Sequence, residues 1–141
     1  MVGKIYMEKI LTFIVKDKKL LLLLGSDKDP QFHKSFWYVV TGGYEKEDNT
    51  LQDAVKREVM EETQLTLTNI VDLDWEFEYE SLGVHCVEHA FISFTNDDKI
   101  VLNEENIDYK WCDLDEFLQL IDWFGDKEEL QAKLGKYIKL T

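Results

Sequence analysis

The run Arg57-Glu58-Val59-Met60-Glu61-Glu62 sets one guanidinium beside three carboxylates at helical spacing. At about 100° per residue, Glu58, Glu61 and Glu62 fall within an arc of roughly 100° and share one face of a helix. One or two turns earlier the same arc holds Leu51, Ala54 and Val55, whereas Gln52, Asp53, Lys56 and Met60 point away. The acids therefore extend a stripe that faces a core. Carboxylates crowded on a partly enclosed face raise one another's pKa unless a cation joins them. A hard divalent ion resolves the conflict, because Mg²⁺ takes oxygen ligands, keeps several waters and bridges carboxylates to phosphates. Arg57 is the only arginine of the chain. Its planar fork can fix a carboxylate in a way that lysine cannot. The plainer alternative is an i,i+4 surface pair with Glu61, worth about 0.3 kcal/mol.

Charge and composition narrow the partners. A formal net charge of −13 excludes broad attraction to nucleic acid or to an anionic membrane. A phosphate-bearing small molecule then needs a cation to meet an acidic protein, and a bound metal supplies one. The 141 residues, 45% hydrophobic with a single Pro, suit one globular domain spanning 1–141, which at this size buries roughly two-thirds of its unfolded surface. The longest apolar run, Leu20 to Leu24, falls far short of the roughly 20 residues of a membrane-spanning helix. With no signal pattern either, a cytoplasmic location follows, and Cys86 and Cys112 are expected as reduced thiols.

The elements that must position the acids can be placed from patterning. Lys9 to Val15 and Leu20 to Leu24 read as a hairpin across a polar turn, and Phe36 to Val40 as a strand stopped by Gly42-Gly43. A helix is expected from Thr50 to Thr63, opened by the capping-box-like Thr50-Leu51-Gln52-Asp53. Val71 to Glu80 alternates Trp75, Phe77 and Tyr79 with acids, the pattern of a half-buried strand, and pairs with Val84 to Phe94. Tyr109 to Cys112 is a short strand, Asp113 begins a helix, and Lys127 to Ile138 forms a terminal amphipathic helix. The fold class is α/β (α+β): a mixed sheet covered by helices.

From Gly43 to Leu65 the chain resembles the Nudix box, written GX5EX7REUXEEXGU with U apolar. Gly43, Arg57, Glu58, Val59, Glu61, Glu62 and Leu65 match at the required spacing. Asn49 stands where the family has Glu, and Gln64 where it has Gly. Asn49 removes an acid that often supports the box arginine or the metals, and Gln64 makes the left-handed turn after the helix harder. The flanks Phe36 to Gly43 and Tyr109-Lys110-Trp111 are similar to Nudix enzymes that hydrolyse dihydroneopterin triphosphate, nucleoside triphosphates or dinucleoside polyphosphates. The resemblance implies an α/β/α sandwich and attack of water on a diphosphate linkage in a nucleoside triphosphate or nucleoside-diphosphate-X, with Mg²⁺ or Mn²⁺ as cofactor. It implies Glu58, Glu61, Glu62 and the Gly43 carbonyl as metal ligands, Arg57 as their orienting group, and Glu105, with Glu104 its near competitor, as general base or further ligand. Phe36, Trp37, Thr41 and Gly42 are the candidate substrate-binding residues.

Several signals carry two readings. Phe32, Phe36, Trp37 and Tyr38 either stack a base or build core. His85, Cys86 and His89 suggest zinc but lack a fourth ligand and a recognisable spacing. The acids from Glu76 to Glu80 suit the exposed side of a strand better than a second metal site. Lys28, Lys34 and Lys110 either meet phosphate or are surface lysines. A nucleotide sensor that binds without cutting is the alternative function, kept open by Asn49 and Gln64, and a homodimer is also left open.

Overall fold

A computed structural model describes residues 6–25 and 36–138. The expected hairpin is present: β1 (Tyr6–Lys16) and β2 (Lys19–Gly25) meet across Asp17 and Lys18, both at positive φ, 49° and 65°. Two left-handed residues in succession give the turn whose twist matches paired strands. The ladder is short, Val15↔Leu20 and Lys16↔Lys19, and the strands then part. β1 takes β4 (Val40–Gly43) along Lys9 to Thr12, while β2 takes β3 (Trp37–Tyr38) and β7 (Asn106–Cys112). The expected strand from Phe36 to Val40 is therefore two strands broken at Val39, because its first half follows β2 and its second crosses to β1.

On the other edge of β1 lies β6 (Val84–Thr95), parallel to it over Val15↔Phe94 through Tyr6↔His85. β6 turns back from β5 (Leu67–Ser81) through Leu82 and Gly83, at φ 50° and 79°. β5 begins before Val71. A register shift between Asp72 and Glu76, with Asp74 at φ 52°, interrupts the alternation that marks the strand in the sequence. Together these elements make one seven-stranded mixed sheet.

Both faces of the sheet are covered, which explains why β1 and β2 read as near-continuous apolar runs. On one face Ile10, Ile14, Leu21, Leu23, Val40 and Phe91 pack against Ala54, Val55 and Val59 of α1 (Leu51–Thr63) and against Leu65. On the other, Leu11, Phe13, Leu20, Leu22, Ala90 and Ile92 pack against Phe117 of α2 (Leu114–Leu120) and Leu130, Leu134 and Ile138 of α3 (Lys127–Ile138). Each fully buried Leu, Ile or Phe contributes about 1.5–3 kcal/mol, so the two cores clamp the sheet between helices as the α/β/α expectation requires. Among the described residues no helix is long and apolar enough to cross a membrane. Phe32, Lys28 and Lys34 lie outside the described residues.

Candidate active site

α1 starts where its sequence says. Thr50 is the N-cap, its Oγ1 accepting the Asp53 N–H at 3.1 Å, while the Asp53 carboxylate accepts from the Asn49 N–H at 3.2 Å. The helix ends at Gln64, held at φ 61° and donating its N–H to the Met60 carbonyl. A non-glycine residue in that region costs on the order of 1 kcal/mol. Packing of Ala54, Val55 and Val59 on the sheet then sets the rotation of α1 and presents Arg57, Glu58 and Glu62 to the end of β4.

The hub is Arg57, whose side chain is 17% exposed. Its Nη2 donates to the Gly43 carbonyl at 2.7 Å and to Asp48 Oδ2 at 2.9 Å, its Nε to Asp48 Oδ1 at 3.2 Å, and its Nη1 to Glu58 Oε1 at 2.8 Å. Glu61 and Glu45 each lie 3.6 Å from Nη1. Arg57 is thus far more than an i,i+4 surface partner. One planar group fixes the last carbonyl of β4, the Glu58 carboxylate and the loop that enters α1. Asp48, 6% exposed, binds the fork through both oxygens, and the guanidinium holds its carboxyl below the usual range. It also accepts the Glu45 N–H at 2.9 Å.

Gly42 closes the other side. A Cβ there would stand 2.0 Å from Glu58 Cδ and 2.3 Å from its Oε1, so only glycine lets the carboxylate lie against the strand. Burial raises the Glu58 pKa, Arg57 counters this, and Glu61 and Glu105 add to the rise. Glu62 goes further. It is 6% exposed, its Oε1 accepts from Asn106 Nδ2 at 3.4 Å, and its Oε2 is buried without a partner. Burial, then the negative charges of Glu105 and Glu58, push it up to about 9.

The sequence-derived candidates therefore meet unevenly. Gly42, Gly43, Arg57, Glu58 and Glu62 are brought together, with Glu61 at the solvent edge, its side chain 55% exposed. Glu105 is exposed on the turn before β7, near enough for its charge to act on Glu58 and Glu62. Phe36 packs on Tyr38, ring centroids 6.3 Å apart, and Trp37 and Thr41 have partners other than the box acids. Trp37 exchanges hydrogen bonds with Asp122, donating to its carboxylate and accepting its N–H, and Thr41 pairs with Leu11, which faces α2 and α3. Two functional candidates escaped the sequence reading. Asp48 was hidden because the box pattern directs attention to Asn49. Asn106 was hidden because only the β7 turn brings it to Glu62.

The zinc alternative has no support here. The nitrogens of His85 face Glu80 at 2.7 Å and Glu78 at 3.3 Å, those of His89 face Glu76 and Glu8 at 3.3 and 3.4 Å, and Cys86 sits on the opposite sheet face. Lys110 is engaged by Glu116 at 2.8 Å. Among the described residues no three His, Cys, Asp or Glu side chains already converge on one point. Glu58, Glu61 and Glu62 would gather an ion by a side-chain rotation that the exposed Glu61 permits. The buried, unpartnered Glu62 oxygen fits a hard cation as its missing partner.

Comparison with known proteins meets this geometry. Similar folds include a MutT protein from Methanosarcina mazei Go1, 23% identical over 96% of this chain and 99% of that one, at a TM-score of 0.72. The E. coli dihydroneopterin triphosphate pyrophosphohydrolase is 24% identical over 98% and 100%, at 0.68. The NUDIX domain of Shewanella oneidensis NrtR, solved with ADP ribose, is 19% identical over 100% and 91%, at 0.70. At such identities the likeness concerns the fold, a mixed sheet between helices. No curated protein matches the sequence. The NUDIX domain profile matches residues 7–134, and the chain belongs to the NUDIX family. Membership sets the reaction class: it is an enzyme of the pyrophosphohydrolase type, acting on nucleoside diphosphate derivatives, in a family that uses divalent metal ions.

Proposed function

We propose that the chain, working as one domain, hydrolyses a nucleoside triphosphate or related nucleoside-diphosphate-X with Mg²⁺, or Mn²⁺ in its place. The observation that carries this reading is Glu62 Oε2, a buried acid oxygen without a hydrogen-bond partner, on a carboxyl that the charges of Glu105 and Glu58 act upon. Glu58, Glu61 and Glu62 would hold the metal, with the second lone pair of the Gly43 carbonyl available beside the one Arg57 occupies. When bound, the metal would neutralise the diphosphate and polarise the attacked phosphorus.

The protein's own groups do the rest. Arg57 holds Glu58 and the Gly43 carbonyl in fixed relation, and Asp48 holds Arg57. Glu105, exposed and close enough for its charge to raise both box acids, would take the proton from the attacking water. Asp48 supplies the carboxylate missing at Asn49, which supports turnover over binding alone.

The test is a panel of nucleoside triphosphates, ADP-ribose and diadenosine polyphosphates incubated with Mg²⁺, with products resolved by ion exchange. Release of pyrophosphate or nucleoside monophosphate is expected, falling by about 10² in Glu61→Gln with the fold intact by circular dichroism. Binding without release of product would select the sensor reading.

A further inference from the structure

Three carboxylates compete for one corner of the Arg57 guanidinium. Nη1 donates to Glu58 Oε1 at 2.8 Å, while Glu45 Oε1 and Glu61 Oε2 each stand 3.6 Å from the same nitrogen. The rest of the group is committed, Nη2 to the Gly43 carbonyl and Asp48 Oδ2, and Nε to Asp48 Oδ1. Nη1 carries two hydrogens, enough for Glu58 and one further acceptor. Of the three acids around it, Glu58 and Glu61 belong to the set read above as cation ligands. Glu45 does not.

Glu45 has a fixed base and a movable head. Its backbone N–H donates to Asp48 Oδ2 at 2.9 Å, and its carbonyl accepts the Asp48 N–H at 3.0 Å. Asp48 is the residue that grips Arg57 through both oxygens, so the Glu45 backbone is tied to the guanidinium. The side chain above it is 52% exposed. A hydrogen bond with the Glu47 carboxyl raises Glu45 above the usual carboxylate range, against the pull of Arg57. Its carboxyl is therefore shared between the loop and the guanidinium. Gathering an ion takes Glu61 away from Nη1 and draws charge from Glu58, which weakens both as acceptors. A guanidinium that is 17% exposed is costly to leave with an N–H unpaired.

We propose that Glu45 is a positioning residue for the cation-bound state. It closes the gap of 3.6 Å and accepts from Arg57 Nη1 as Glu58 and Glu61 turn to the metal, so that the guanidinium keeps its place and with it the Gly43 carbonyl. The inference rests on the reading of the box acids as a cation site, and it adds the residue that holds the hub still when the site fills.

Arg57 is the only arginine of the chain, so its guanidinium N–H signals in a nitrogen-edited NMR spectrum are identified without assignment. In wild type they should stay resolved when Mg²⁺ is added. In Glu45→Ala they should broaden by exchange with water on Mg²⁺ addition, having matched wild type before it. Mn²⁺ affinity, measured without nucleotide from the paramagnetic resonance of the free ion, should fall about tenfold in Glu45→Ala, the scale of losing a ligand's support. Two variants separate positioning from charge. Glu45→Gln loses the charge but keeps a carbonyl acceptor, and should return affinity to within about threefold of wild type. Glu47→Ala removes an equal charge from the same loop and should stay within about twofold. Metal-free thermal unfolding should match in all of them, since the Glu45 and Glu47 side chains lie outside both cores. Equal losses in Glu45→Ala and either other variant, or Arg57 signals that respond alike to Mg²⁺ in wild type and Glu45→Ala, overturn the Glu45 assignment and leave the cation site standing. Wild type that binds Mn²⁺ no better than Glu62→Gln overturns the cation site and this inference with it.

Discussion

The two faces of the sheet each carry one nearly buried glutamate, and their surroundings differ in kind. Glu62, under α1, has an amide from Asn106, two acids acting on it and an oxygen with no partner. Glu88, on the face of α2 and α3, has a phenol donor and a lysine acting on it. A buried acid persists when its partners carry the opposite sign or a proton. Where the neighbours have the wrong sign, as at Glu62, the acid keeps its proton until a cation takes the proton's place.

The largest effects are expected around Arg57 and Glu58. Gly42→Ala drives a methyl into Glu58, 2.0 Å from its Cδ, and should lower kcat by about 10², the scale of a 1 Å misplacement at a reacting centre. Steady-state rates, with circular dichroism to confirm folding, check it. Asp48→Asn keeps the volume but removes the charge that grips Arg57 through two hydrogen bonds. A positioning residue of this type should cost roughly 10-fold in activity or metal affinity, and a Mg²⁺ titration of kcat/KM reads which. A smaller effect is expected at the helix end. Gln64→Gly relieves a φ of 61° and should raise stability by about 1 kcal/mol in urea denaturation with activity retained.

The helix that carries the acids was legible because its capping, apolar stripe and box spacing all specify the same rotation, and the packing of Ala54, Val55 and Val59 agrees with them. The hairpin β1–β2 and the pairing of β5 with β6 were legible for the same reason, since turn chemistry and alternation coincide. What escaped depends on contacts distant in sequence. Nothing local announces that the strand at Phe36 to Val40 changes partners at Val39, or that Asn106 reaches Glu62 across 44 residues. Asp48 was missed for another reason. A carboxylate one position before its pattern slot still reaches Arg57, because a loop, unlike a helix, can shift by one residue and deliver the same group.

We propose that the box acids, Glu62 above all, take a divalent cation as their missing partner. Held up to about 9, Glu62 keeps its proton at neutral pH in the metal-free protein. Its folded pKa lies above the ordinary carboxylate value, so its contribution to metal-free stability is full below that value and fades as pH rises through about 9. A bound cation must displace that proton. Calorimetric titration of Mn²⁺ or Mg²⁺ at pH 7 in buffers of different ionisation enthalpy measures the release directly. About one proton per chain should be freed in the wild type, with weaker binding and no such release in Glu62→Gln. Binding of equal strength in both proteins, with no proton released from either, would rule out Glu62 as the cation's partner.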